Sequence, residues 1–195
     1  MIKADVVLAG VGGQGVLTAA GLLAEAARRA GLTVKQGEIH GMSQRGGAVT
    51  ANLRMAEGPV ASDLIARGAA TMILSLEPVE ALRCLPYLAD SGIVVTSSSP
   101  VENIADYPPM ADVLEALGRL PRSVVVEADP LAREAGSAHA NNVVMLGAAA
   151  ALLPFPTSLL RDVVGEYFRG RSARLEEINL KAFDSGQTAA AAAAG

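Results

Sequence analysis

The residues best equipped for chemistry lie in two short stretches. The first is GVGGQG, Gly10 to Gly15, which follows the apolar run ADVVLA and precedes VLTAAGLLAEAARRAG. Gly10, Gly12 and Gly15 satisfy G-x-G-x-x-G at a strand-to-helix junction, where glycines permit a left-handed backbone and free N–H groups at the helix start attract an anion. A dinucleotide site also needs a carboxylate about 20 residues further on, at the end of the second strand, to hold the ribose. Here that strand reads TVKQGE, with Lys35 and Gln36 near its end and Glu38 only after a glycine. Val16, Leu17 and Thr18 follow the turn, so the lysine that a nucleoside triphosphate requires is missing as well. Three uses stay open: a dinucleotide, another phosphate or anion, or a structural turn for close packing. Gly13 and the uncharged Gln14 favour the last two.

The second stretch is EIHGMSQRGGAV, which concentrates Glu38, His40, Ser43, Gln44 and Arg45 between Gly37, Gly41, Gly46 and Gly47. Arg45 has the fork geometry for a carboxylate or phosphate, and His40 can exchange a proton near neutral pH. A solvent-facing loop with Arg45 paired to Glu38 accounts for the same composition. Four glycines, however, cost entropy that a plain connection does not need, so the loop reads as a close contact or a site. Further on, His139 precedes Asn141 and Asn142 at a helix start. One of these amides reads as a cap, the other as a group that bonds across an interface.

A self-contained active site does not emerge. No pair of carboxylates flanks a nucleophile, and Ser43 lacks the G-x-S-x-G elbow. The single cysteine, Cys84, excludes an internal disulfide, a four-thiolate cluster and a thiolate zinc site. Its helical setting, VEALRCLPYL, reads as that of a buried structural thiol.

The elements that must position these residues alternate. KADVVLA, LTVKQGE, AVTANLRM, AATMILSL, GIVVTSS and SVVVEAD read as strands. Helical patterns run over Gln14 to Arg29, with Gly31 as its C-terminal stop, over PVEALRCLPYL with Pro78 in its first turn, and over MADVLEALGRL. SVVVEAD delivers Asp129 and Pro130 to another helix start. This succession predicts an α/β fold, a three-layer α/β/α arrangement with a mostly parallel, Rossmann-like sheet. The C-terminal part reads as helical, through SAHANNVVMLGAAAALLPF and PTSLLRDVVGEYFRG. Residues 1–186 form one domain in this reading. Residues 187–195, with six successive alanines, form a frayed or partner-bound tail, because an isolated helix of that length is marginal in water.

Composition narrows the function classes. Of the 195 residues, 51% are hydrophobic and 18% charged, which excludes general disorder and leaves a weakly charged face that calls for a partner. A net charge of −4 with scattered arginines provides no field for nucleic acid. The longest apolar run stops at Pro154, short of the ~20 residues that cross a bilayer, and the N-terminus enters a strand without a signal-like region. A cytoplasmic chain is expected, with no membrane partner.

GVGGQGVLTAAGLLAEAARRAG, GEIHGMSQRGGAVTANLRM, SAHANNVVMLGA and EEINLKAFDSG together resemble the gamma-type domain of the 2-oxoacid:acceptor oxidoreductase family, in the form of the indolepyruvate:ferredoxin oxidoreductase beta subunits. The resemblance spans Ile2 to about Gly186. It implies a subunit of an enzyme that oxidatively decarboxylates a 2-oxoacid, indolepyruvate or an aryl-pyruvate, to its acyl-coenzyme A. In that family thiamine diphosphate, magnesium and iron–sulfur clusters lie mainly on a partner alpha subunit, coenzyme A is the acyl acceptor, and ferredoxin takes the electrons. This chain alone then holds no cofactor, metal or catalytic residue, and is inactive in isolation, where a homodimer stays open. By the same resemblance Gly10, Gly12, Gly13, Gln14 and Gly15 form the family's turn. His40, Met42, Ser43, Arg45, Gly46 and Gly47 form its loop, and Asn141 and Asn142 are its helix-start amides. A stand-alone nucleotide- or dinucleotide-binding module and a purely structural scaffold subunit remain as alternatives.

Overall fold

β1 (Lys3–Val11) is a strand covered on both faces: Val6 and Leu8 point into one apolar cluster, Val7 and Ala9 into another, and all four are buried. The computed structural model describes residues 3–40, 46–102 and 104–193. From β1 the chain passes through the glycine turn into α1 (Val16–Arg29), whose stripe of Ala19, Ala20, Leu22, Leu23, Ala26 and Ala27 is buried. The helix closes with Gly31 at φ 81°, its N–H donating to Arg28 O, and with Leu32 N–H donating to Ala27 O. This paired arrangement satisfies the last carbonyls, as the sequence predicts for Gly31.

β2 (Thr33–His40) and β3 (Ala48–Ala56) follow as an antiparallel pair, and β3 lies between β2 and β1. β4 (Ala70–Ser75), β5 (Leu88–Ser97) and β6 (Ser123–Val126) extend the other side in parallel register with β1, giving the order β2-β3-β1-β4-β5-β6. Only β3 runs against the rest. α1 and the C-terminal helices cover one face. α2 (Pro78–Arg83) and α3 (Met110–Gly118) cover the other, where Ala81, Cys84, Val113 and Leu117 pack on Val7, Ile73 and Val94. The three-layer expectation holds. The helix expected over PVEALRCLPYL is shorter, because the chain turns through a 3₁₀ segment at Leu85–Tyr87. Pro86 has no N–H to continue an α-helix.

α4 (Ala128–Ala135), α5 (Asn141–Ala149), α6 (Thr157–Arg169) and α7 (Ala173–Ala193) complete the fold. α7 is longer than the sequence reading, which runs through KAFDSG into a frayed or partner-bound tail. The structure continues one helix of 21 residues to Ala193, with Phe183 and Gly186 buried and Ala189 and Ala190 packed against the core. The cost of helix nucleation does not apply here, since the alanines extend a helix already held by packing. No helix among the described residues is long and apolar enough to cross a membrane.

Candidate functional site

The C-terminal ends of β1, β4 and β5 mark the edge where open α/β sheets bind ligands. At this edge the backbone of GVGGQG turns sharply, with Gly13 at φ 107° and Gly15 at φ 86°, both in the left-handed region that disfavours side chains. Gly15 is the N-cap of α1, and no side chain caps that helix. Gln14 does not face outward. Its Oε1 accepts from Val11 N–H at 2.8 Å and its Nε2 donates to Leu76 O at 3.0 Å, so it ties the ends of β1 and β4 together. Both ends of the Gln14 amide are therefore engaged by backbone groups of this chain. The reason is Gly10: a Cβ there would meet Gln14 Oε1 at 2.9 Å, Val16 Cγ2 at 2.9 Å and Leu76 Cβ at 3.2 Å. The bare glycine makes room for the folded-back amide.

The β2–β3 connection meets this turn. Gly12 N–H donates to Gly47 O at 2.8 Å and Gly46 N–H to Gly12 O at 3.5 Å. Gly46 is left-handed, φ 74°, and both it and Gly13 border open space. His40 is the last residue of β2. Met42, Ser43 and Arg45 lie outside the described residues. Thus the two stretches singled out in the sequence share one edge of the sheet.

The two asparagines separate. Asn142 is buried, and its Nδ2 donates to Gly15 O at 3.4 Å, joining α5 to the turn across 127 residues. Its Oδ1 is buried without a hydrogen-bond partner. Asn141 points elsewhere, with Nδ2 on Asp129 Oδ1 at 3.1 Å, and so joins α4 to α5. Neither caps a helix as expected, because α5 begins at Asn141 itself, behind a 3₁₀ turn capped by Ser137. His139 is exposed.

Sequence reasoning missed a polar cluster on the same edge. Glu77, 1% exposed, directly follows Leu76. One carboxylate oxygen accepts Glu80 N–H at 2.7 Å and caps α2, and the other accepts the Tyr107 hydroxyl. Burial first, then this bond, raises the Tyr107 pKa above the usual phenol value. Burial also raises Glu80, against the opposing Arg83. The Cys84 thiol is pushed up to about 11, by burial and then by Glu80, which leaves it without thiolate near neutral pH. A glutamate before a proline at a strand end was the available sign, but nothing in the sequence pairs it with Tyr107.

Chemically, this edge offers backbone N–H groups at the start of α1, an unfilled amide acceptor and a buried carboxylate with its partners in place. Among the described residues no group of three or more His, Cys, Asp or Glu is placed to hold a metal ion. Among the described residues, the buried carboxylate at this edge, Glu77, is already engaged by Glu80 N–H and the Tyr107 hydroxyl.

Comparison with known proteins agrees with this geometry. The sequence profile of the pyruvate ferredoxin/flavodoxin oxidoreductase family matches residues 5–189. The indolepyruvate oxidoreductase subunit IorB of Thermococcus kodakarensis is 40% identical, over 97% of either chain. Among solved structures, the fold matches the 2-oxoglutarate:ferredoxin oxidoreductase of Magnetococcus marinus at TM-score 0.79 and 20% identity, covering 98% of this chain and 32% of that longer one. It also matches the keto/oxoacid ferredoxin oxidoreductase gamma subunit of Geobacter sulfurreducens at TM-score 0.71 and 23% identity, covering 97% and 99%. With its profile, its glycine turn and its fold in agreement over nearly the whole length, the chain belongs to the pyruvate ferredoxin/flavodoxin oxidoreductase family.

Proposed function

We propose that the chain is the site-completing subunit of a thiamine diphosphate-dependent 2-oxoacid:ferredoxin oxidoreductase that converts indolepyruvate or related aryl-pyruvates to the acyl-coenzyme A. The observation that carries this reading is the 40% identity with an indolepyruvate oxidoreductase subunit along the length of both chains. Thiamine diphosphate with magnesium, and iron–sulfur clusters, supply decarboxylation and electron transfer to ferredoxin from a partner alpha subunit. The chain's own residues fit a partner that carries those groups, since one buried thiol cannot ligate a cluster.

The chain's contribution is a firm wall. The Gly12–Gly47 contact and the Gln14 strut hold the turn and the hairpin together, so a ligand or partner meets preset backbone groups. By the family resemblance His40, at the end of β2, together with Met42, Ser43 and Arg45, belongs to the shared boundary in this reading. The dinucleotide alternative loses ground, because Gln14 fills the space beside Gly10.

The test is co-expression with the long chain that carries thiamine-binding and clustered-cysteine segments. The expected product is a brown complex that reduces ferredoxin when given indolepyruvate, thiamine diphosphate and coenzyme A, while the isolated chain is colourless and inactive. Turnover by the isolated chain, or tight NAD binding to it, overturns the proposal. Turnover unaffected by Arg45→Ala in a weakened complex points to a scaffold instead.

A further inference from the structure

Among the described residues, Asn142 is the buried polar side chain whose hydrogen bonding the fold leaves incomplete. It is 6% exposed, its Nδ2 makes one long bond to Gly15 O at 3.4 Å, and its Oδ1 meets no donor. Buried amide oxygens are paired in nearly all proteins, because leaving one unmet forfeits its hydration. The amide assignment follows from the contact: a flipped side chain would set Oδ1 against the Gly15 carbonyl oxygen. Its place is also specific. A Cβ on Gly15 would lie 2.5 Å from Nδ2 and 3.2 Å from Cγ, so the side chain is aimed at the N-cap of α1.

That N-cap is unfinished too. Gly15 provides no capping side chain, and the first turn of α1 carries no acidic residue. An uncapped helix start leaves backbone N–H groups without intrahelical partners. Beside them, Gly13 and Gly46 border open space on the two loops joined through Gly12. One small region therefore offers backbone donors and a single side-chain acceptor to whatever covers it.

We propose that Asn142 is a positioning residue of the assembled enzyme's reaction site. Nδ2 holds Gly15 in its left-handed turn, and Oδ1 receives a hydrogen bond from an N–H or O–H of the ligand seated over that turn. The matching ligand chemistry is an anionic or carbonyl group, for the start of α1, next to an N–H or O–H donor. Since Oδ1 is closed to water in the free chain, its donor arrives with a rearrangement of the turn around the bound group. An anion that carries no N–H or O–H donor does not satisfy it. The inference rests on the proposed function, and both substrates of that reaction, the indolyl 2-oxoacid and coenzyme A, carry this chemistry.

The experiment compares the co-expressed wild-type complex with Asn142→Leu and Asn142→Asp complexes, measuring kcat and the KM of each substrate. Asn142→Leu is expected to raise one KM about tenfold or more while kcat stays within about threefold. The substrate whose KM moves is the ligand over the turn. Asn142→Asp keeps an acceptor and is expected to recover part of the loss. Unchanged KM values, or a fall in kcat matched by loss of assembly in both variants, overturns the proposal. If Asn142→Leu does not fold, the KM pattern of Asn142→Asp decides. A wild-type complex without turnover would count against the proposed function alone, and hydrogen exchange then judges Asn142. The amides of Val16 to Thr18 should slow when coenzyme A or indolepyruvate binds the wild-type complex, slow less in Asn142→Leu, and stay unchanged with sulfate, an anion that carries no N–H or O–H. Equal slowing in both complexes overturns the inference.

Discussion

Gly147 of α5 and Gly186 of α7 face each other across a helix crossing, and each lacks a side chain where the other helix's backbone runs. A Cβ on Gly147 would collide with the Phe183 carbonyl, and one on Gly186 with the Val144 carbonyl. The stretches VVMLGA and KAFDSG, which carry part of the family resemblance in the sequence, thus meet as two halves of one packing contact. This contact also holds α5, and with it Asn142, against the body of the fold.

Replacing either glycine by alanine sets two effects against each other. Alanine gains about 1 kcal/mol of helix propensity over glycine. The collision is with backbone, which cannot swing aside, and forced overpacking costs about 1–3 kcal/mol or more. The collision wins. With the collisions at the upper end of that range, Gly147→Ala and Gly186→Ala should each destabilise the chain by a net of about 2 kcal/mol in urea unfolding, whereas Gly21→Ala, with open space beside it, should not.

Asp5 is a buried carboxylate, 1% exposed, and Arg54 meets it through Nε at 2.8 Å and Nη2 at 3.3 Å. Arg54 also donates to Ser62 O and Leu64 O at 3.2 Å, pinning the segment that crosses from β3 to β4. Removing one partner of a buried pair costs about 3–5 kcal/mol, because the other charge is left uncompensated. Exposed Lys3, 3.1 Å from Asp5, offsets part of this. Arg54→Ala should therefore cost about 3 kcal/mol in chemical denaturation, and pairing it with Asp5→Asn should restore much of the loss.

Hydrogen bonds from Arg28, then Arg29, hold the Glu25 pKa down to about 2. A depressed carboxylate pKa adds stability above the unfolded value of about 4.3, and that stability is lost as the pH falls toward 2. Glu25 is about one-third exposed, so solvent screens the pair and the effect is small. The stability gap between wild type and Glu25→Gln should be present at pH 6 and shrink between pH 5 and pH 2. A gap that grows on acidification would contradict the sign.

The strands and α1 were legible because their apolar spacing follows one period over several turns. The position of β3 was not, since the order of strands in a sheet depends on pairings between distant segments. α7 was hidden by Gly186, a poor helix former that only the crossing with Gly147 explains. At the candidate site, the glycine turn and the hairpin were each readable, and their meeting at Gly12 and Gly47 agrees with reading the glycines as a device for close approach. The direction of Gln14 was not readable, because it depends on space left by Gly10 and on a carbonyl 62 residues away. Glu77 and Tyr107, 30 residues apart, likewise form a pair only through the fold.

Gln14 and Gly10 give the sharpest test of the turn. In the wild type, Gly10→Ala places a methyl against Gln14 Oε1, Val16 Cγ2 and Leu76 Cβ, within 3.2 Å of all three. Gln14→Ala alone removes the partners of Val11 N–H and Leu76 O, groups at the ends of two central strands, at about 1–3 kcal/mol. If the amide is the strut described, the two losses share a cause and cannot add, because truncating Gln14 removes one of the three atoms the new methyl strikes. The double variant should be more stable than the sum of the singles implies, by a coupling of about 0.5–3 kcal/mol, and the remaining contacts with Val16 and Leu76 hold that relief below completeness. Additive losses in a double-mutant cycle would mean that Gln14 lies elsewhere, which would reopen the space beside Gly10 to a bound phosphate.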